Sequence, residues 1–137
     1  ILSGAPFSAT VSNAPLLNTD FNGVRADIIG NPSVSNPNSN LWFNPAAYTA
    51  PQQAYRDGTS SRNSLRGPGM FAANWALAKA FAITEQKELE VRWETFNTFN
   101  HPNLANPAST IDESGAGQIT ATAVPMRQMQ LGLHFSF

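Results

Sequence analysis

The side chains best suited to chemistry are few and scattered. His101 and His134 are the only two histidines. His101 lies in FNHPN and reads first as a loop residue that hydrogen-bonds near a strand end; His134 sits on the polar side of an alternating run. Ser64 or Ser114 can be combined with a histidine and an aspartate on paper. A nucleophilic triad is defined by geometry, however, and almost any sequence allows the combination. No HExxH, GxSxG, Walker or paired-glycine dinucleotide pattern occurs. Glu88, Glu90 and Glu94 recur on alternate positions around Arg92. Paired carboxylates serve glycoside hydrolysis or calcium binding. A solvated strand face whose arginine softens the repulsion is the simpler explanation. Asp20, Asn22 and Asp27 in NTDFNGVRAD resemble a calcium loop only loosely, without the full spacing or the closing glutamate.

Binding chemistry is better represented than catalysis. RNSLRGPG places Arg62 and Arg66 among glycines, a pattern that holds an anion through guanidinium groups and backbone amides. The alternative is a tight turn whose arginines bond loop carbonyls. Trp42, Phe43, Tyr48 and Tyr55 bring aromatic surface to the same long segment. They suit stacking on a ligand, and equally suit stapling a long loop onto itself. Trp42, Tyr48, Tyr55, Arg62, Arg66 and His101 are therefore the candidate ligand-contacting residues. No catalytic group, cofactor or metal is expected.

The elements that must carry these residues are strands. Ten prolines and nine glycines punctuate the chain, and no long segment keeps a helical period. The best helical candidate is the short FNPAAY, where Asn44 can cap and Pro45 can open the turn. Alternation of period two predicts strands over about 6–12, 70–84, 88–99 and 126–137. The second and third are joined by the short TEQKE turn. The others are separated by long segments, 13–69 and 100–125, which are uncommon in a compact soluble domain. Short turns on one side, long loops on the other and strands long enough to cross a bilayer match an outer-membrane β-barrel. Phe81, Phe135 and Phe137 fall near strand ends, where an interfacial girdle forms. Lys79 fits poorly: it shares parity with Trp75, Leu77 and Phe81. It must snorkel to the headgroups, or a bulge must change the parity.

Composition is consistent with this class. Charged residues make up 12% of the chain, about half the usual share. The net charge of −1 argues against nucleic acid. There is no cysteine, hence no disulfide framework. There is no run of eighteen apolar residues and no signal peptide. The start without methionine is expected of a piece of something longer.

RADIIGNP (25–32), WFNPAAY (42–48), RNSLRGPG (62–69), RWETFNTFNHPN (92–103) with GQIT (117–120), and the terminal RQMQLGLHFSF together resemble the C-terminal part of TonB-dependent outer-membrane receptors. The resemblance is greatest to Oar-like receptors of Acidobacteria, which carry a carboxypeptidase-regulatory-like domain. It covers nearly the whole chain. It implies an all-β, antiparallel fold: the last four or so strands of a transmembrane barrel with two long extracellular loops, forming a single segment over residues 1–137. It implies a location in the Gram-negative outer membrane, and a parent receptor with a plug inside a 22-stranded barrel that takes up bulky ligands such as metal chelates or oligosaccharides. The implied partners are outer-membrane lipid, the rest of that barrel and its plug, and the barrel-assembly machinery. The last would read Met129, Leu131, Leu133, Phe135 and Phe137 by strand addition. The role implied for the chain itself is structural, barrel-closing and non-enzymatic. A competing reading is a free-standing soluble β-protein, either a carbohydrate-binding module or a small hydrolase. Four strands cannot close a barrel, so an isolated copy is expected to oligomerise or fold back as a sandwich.

Overall fold

A computed structural model describes residues 1–12, 24–53 and 56–137. The described elements are all β apart from one 3-10 turn, Pro45–Ala47. Strands β1 (Pro6–Phe7), β2 (Thr10–Val11), β3 (Val24–Arg25), β4 (Asp27–Ile28), β5 (Tyr48–Thr49) and β6 (Leu65–Arg66) are two residues each. Three long strands follow: β7 (Trp75–Thr84), β8 (Lys87–Phe96) and β9 (Gln128–Ser136).

The long strands form one antiparallel sheet in the order β7-β8-β9. Its register sorts the sequence into two faces. Rows Leu77–Trp93–Leu131, Lys79–Val91–Leu133 and Phe81–Leu89–Phe135 lie on one face. Rows Ala76–Glu94–Gln130, Ala78–Arg92–Gly132, Ala80–Glu90–His134 and Ala82–Glu88–Ser136 lie on the other. A strand exposes alternate residues to opposite faces, so one apolar surface and one small or charged surface result. No described element covers the apolar face: Leu77 is 66% exposed, Leu131 68% and Leu133 69%. A water-soluble sheet buries such a face.

The segment 6–12 does not extend this sheet. It divides into β1, which pairs with β6, and β2, which pairs with β3. The physical reason lies in its neighbours. Phe7, Ala9 and Val11 are buried with Ala26, Phe43, Ala47 and Tyr48 in the one apolar core of the described residues, so their side chains serve a loop core and not a strand face. Phe7 meets Phe43 at 5.7 Å, and Tyr48 meets Phe43 edge-on at 6.1 Å. The 3-10 turn forms where expected. Asn44 caps it by accepting from the Ala46 amide at 3.1 Å, and Pro45 opens it.

The second long segment packs against the first. Thr10 donates to the Ser109 carbonyl at 3.0 Å, and the Ile111 amide donates to the Thr10 carbonyl at 2.8 Å. Gly117 accepts from the Trp42 amide at 2.8 Å. Gly117 has φ +80°, and a Cβ there would stand 2.9 Å from the Phe43 carbonyl oxygen. Only glycine meets both demands without strain. The described parts of the two long loops thus pack together at the end of the sheet where Trp75, Phe96 and Gln128 lie. The short turn after Thr84 and the terminal Phe137 lie at the opposite end.

Candidate functional site

Three features of the geometry bear on function: the two-faced sheet, the collar of asparagines at its loop end, and the loop core with its rim. On the charged face of the sheet, Arg92 Nε donates to Glu94 Oε1 at 2.8 Å. The Gln130 side-chain amide bonds the other Glu94 oxygen. The arginine thus sits among the carboxylates as a neutralising partner. On the apolar face, the single break in register falls between Ala82 and Thr84, beyond Lys79. Lys79 therefore keeps the parity of Leu77 and Phe81, and no bulge rescues it. Its ammonium leans over the Phe81 ring, 5.1 Å from the centroid, which is toward the short turn.

The collar is built from FNTFNHPN. Asn97 and Asn100 have φ of 50° and 52°, the left-handed region that asparagine tolerates better than most residues. The buried Asn97 amide group donates to the carbonyls of His101 at 3.0 Å and Pro125 at 3.2 Å. Its Oδ1 accepts from the His101 amide at 3.1 Å. Asn103, fully buried, accepts from the Phe71 amide at 2.6 Å and donates to the His101 carbonyl at 3.2 Å. Asn74 Oδ1 takes the Asn97 amide at 3.0 Å, and Asn100 Oδ1 takes the Arg127 amide at 3.0 Å. These bonds tie the start of β7, the end of β8 and the start of β9 together.

A family model for the outer membrane beta barrel domain matches residues 1–130. The chain belongs to this family. No curated protein and no solved structure matches it. Membership makes the open three-stranded sheet part of an outer-membrane barrel, since three strands cannot close one. The apolar face is then the lipid side, and the face of Glu88, Glu90, Arg92, Glu94 and His134 is the lumen side. No described helix is long and apolar enough to cross a membrane, and barrel strands need none.

The expected ligand-contacting residues of this barrel protein do not form one site. Tyr48 is buried, and burial pushes its phenol up; it is a core residue. Tyr55 lies outside the described residues, as do Asp20 and Asn22. His101 is exposed, with its ring edge-on to Phe71 at 5.8 Å, and it belongs to the collar. Arg62 is exposed. Trp42 and Arg66 do come together: the Trp42 indole N–H donates to the Arg66 carbonyl at 2.8 Å. Both line a groove of about 270 Å³. Phe7, Pro32 and Pro37 also line it, and nothing in their local sequence marked them, because a groove assembled from distant segments has no spacing signature. Met129, Leu131, Leu133, Phe135 and Phe137 are all exposed on or beside β9, with Phe135 and Phe137 stacked at 5.9 Å.

Charge in the loop body is structural. Asp27 receives Arg56 in a two-pronged pair, at 3.0 Å and 2.7 Å, and also the Thr59 amide at 2.8 Å. The Arg56 bond beside it holds the Asp27 carboxyl below its ordinary value. Asp57 is pushed up by burial but held down on balance by Arg25, whose Nε lies 2.7 Å away. Among the described residues, no group of three His, Cys, Asp or Glu side chains is placed to hold a metal ion.

Proposed function

We propose that this chain is the C-terminal barrel part of a TonB-dependent receptor of the Oar-like kind, serving uptake of bulky ligands such as metal chelates or oligosaccharides. The observation that carries the reading is the sheet β7-β8-β9. It has an uncovered apolar face, a charged opposite face and unpaired edges on β7 and β9. Such edges are liabilities that a barrel removes by closure. The RADIIGNP, WFNPAAY, RNSLRGPG, FNTFNHPN and GQIT stretches add support, because all of them contribute to one loop body or its collar. The role is structural: β9 supplies a closing strand, and the loop body stands at the outer rim. The partners are outer-membrane lipid, the remaining barrel with its plug, and the assembly machinery that reads Met129 to Phe137. No enzymatic step belongs to this reading.

The test has two arms. The purified chain is expected to partition into detergent micelles with β-type circular dichroism. A compact soluble monomer without detergent would overturn the barrel reading. For the receptor, ligand uptake by cells carrying the longer protein is expected to stop when the inner-membrane proton gradient is collapsed. Uptake that survives would leave a passive barrel in its place.

A further inference from the structure

The sequence holds two lysines, Lys79 and Lys87, and the fold brings both to one corner of the sheet. Lys79 lies in the row Lys79–Val91–Leu133 of the apolar face. Lys87 opens β8 and alternates with Leu89, Val91 and Trp93, so it lies on that face too. Both are exposed. Between them runs the row Phe81–Leu89–Phe135, with Phe137 stacked on Phe135 at 5.9 Å. This is the short-turn end, and short turns of an outer-membrane barrel face the periplasm. The aromatic row therefore marks the interface with the inner leaflet of the outer membrane.

Lys79 sits one row to the bilayer side of this belt, roughly 7 Å along the strand. Its flexible four-carbon stem covers that distance, and its ammonium already leans over the Phe81 ring at 5.1 Å. Lys87 sits one row to the other side, where it pairs with Thr84 beside the turn. The two cations thus flank the belt from above and below. Among the described residues neither lysine is within ion-pair distance of a carboxylate, the terminal one on Phe137 included; the ion pairs present belong to Arg25, Arg56 and Arg92. Glu88, next to Lys87 in sequence, lies on the charged face, and Glu85 lies in the turn.

A lysine that faces hydrocarbon is costly, and a bound anion offsets more of that cost than snorkelling alone. The lipid-side rows contain no carboxylate, so a second copy docked on this face would set lysine against lysine. A phospholipid answers both parts of the surface: its phosphate suits the ammonium groups, and its acyl chains suit Val91 and Leu133. We propose that this corner binds an anionic phospholipid of the inner leaflet, with the phosphate held between Lys79 and Lys87. The inference rests on the barrel placement of the sheet and not on the receptor role.

The full chain in phosphatidylcholine vesicles doped with phosphatidylglycerol provides the test, with bromine on the acyl chains of one lipid or the other. Trp93 lies one row from Lys79, and Trp75→Phe leaves it as the lipid-side reporter. Brominated phosphatidylglycerol is expected to associate at least about fivefold more strongly than brominated phosphatidylcholine, the scale of one basic side chain at an anionic surface. Lys79→Gln and Lys87→Gln should each lose most of that preference, and Lys79→Arg should keep it. Arg127→Gln, at the opposite end of the sheet, should leave it unchanged. Excess glycerol 3-phosphate should not displace the lipid. Far-ultraviolet dichroism confirms that each variant is inserted as β-structure. Equal quenching by the two lipids overturns the proposal. So does an equal loss in the Arg127 and Lys79 variants, which marks diffuse attraction, or displacement by glycerol 3-phosphate, which marks a site for soluble phosphate. If the chain inserts yet shows no preference, only this inference falls. If it does not insert, the barrel placement falls and the site with it. Ligand uptake that survives a collapsed proton gradient removes the receptor role and leaves this site standing.

Discussion

Asp27 shows how single residues hold a structure with little apolar core. Its carboxylate, buried beside β4, collects two bonds from Arg56 and one from the Thr59 amide. Asp27→Asn keeps the shape and the Thr59 bond but removes the charge that Arg56 answers. The expected cost is on the order of 2 kcal/mol, the scale of a hydrogen bond to a charged partner. The sign of the pH dependence follows from the direction of the shift. The folded carboxyl titrates below its ordinary 3.8. Its contribution is therefore complete above that value and fades as pH falls from it toward the folded value. Urea unfolding followed by near-ultraviolet dichroism should separate wild type and D27N clearly at pH 7, and the gap should narrow near pH 3. A gap that is constant with pH would show that packing, not charge, sets the difference.

At the scale of elements, the collar explains why β7, β8 and β9 begin and end together. Asn103 has no exposed surface, and its carboxamide serves the Phe71 amide and the His101 carbonyl. Asn103→Ala leaves the Phe71 amide without its side-chain partner, while the His101 carbonyl keeps its bond from Asn97, at an expected cost of about 1–3 kcal/mol. Faster hydrogen exchange at the Phe71 amide and easier proteolysis between 100 and 125 should follow; unchanged exchange at Phe71 would remove the collar from the account. The sheet gives a second prediction. Leu131 lies mid-strand on the apolar face and Gln130 on the charged one. Leu131→Arg should lose about 2–4 kcal/mol of insertion free energy in vesicles, while Gln130→Arg should lose little. Flotation of each variant with the lipid measures this, and equal losses would dissolve the assignment of faces.

The same elements show what the sequence made legible. Alternation in WALAKAFAIT, KELEVRWETF and QMQLGLHFS fixes both the strands and their faces, because period two survives any tertiary context that keeps a strand. The start of the chain shows the reverse. PFSATVS alternates as well, yet Phe7, Ala9 and Val11 pack into the loop core with Phe43 and Tyr48. Periodicity reports an apolar side but not its partner. The groove was only partly legible. Trp42 and Arg66 stood out by residue type, whereas Pro32 and Pro37 gain meaning only once the loop closes.

For the molecule as a whole, the decisive property is incompleteness of the sheet. β8 has neighbours on both sides, while β7 and β9 each pair on one side only. In an antiparallel strand, successive amides point alternately toward opposite neighbours. Every second amide of β7 and β9 therefore faces outward with no described partner, whereas β8 amides are bonded on both sides. In apolar surroundings an unpaired amide is costly. The chain alone in micelles has two ways to answer this. As a monomer it should show fast exchange at alternate amides of β7 and β9 and slow exchange throughout β8. If copies associate edge to edge, those alternate amides should become protected, and cross-linked species should appear at the same protein-to-detergent ratio. Exchange measured across a dilution series separates the cases. Uniform protection of both edge strands in a strictly monomeric chain would mean that some other segment covers them, and the open-sheet account of this barrel would fail.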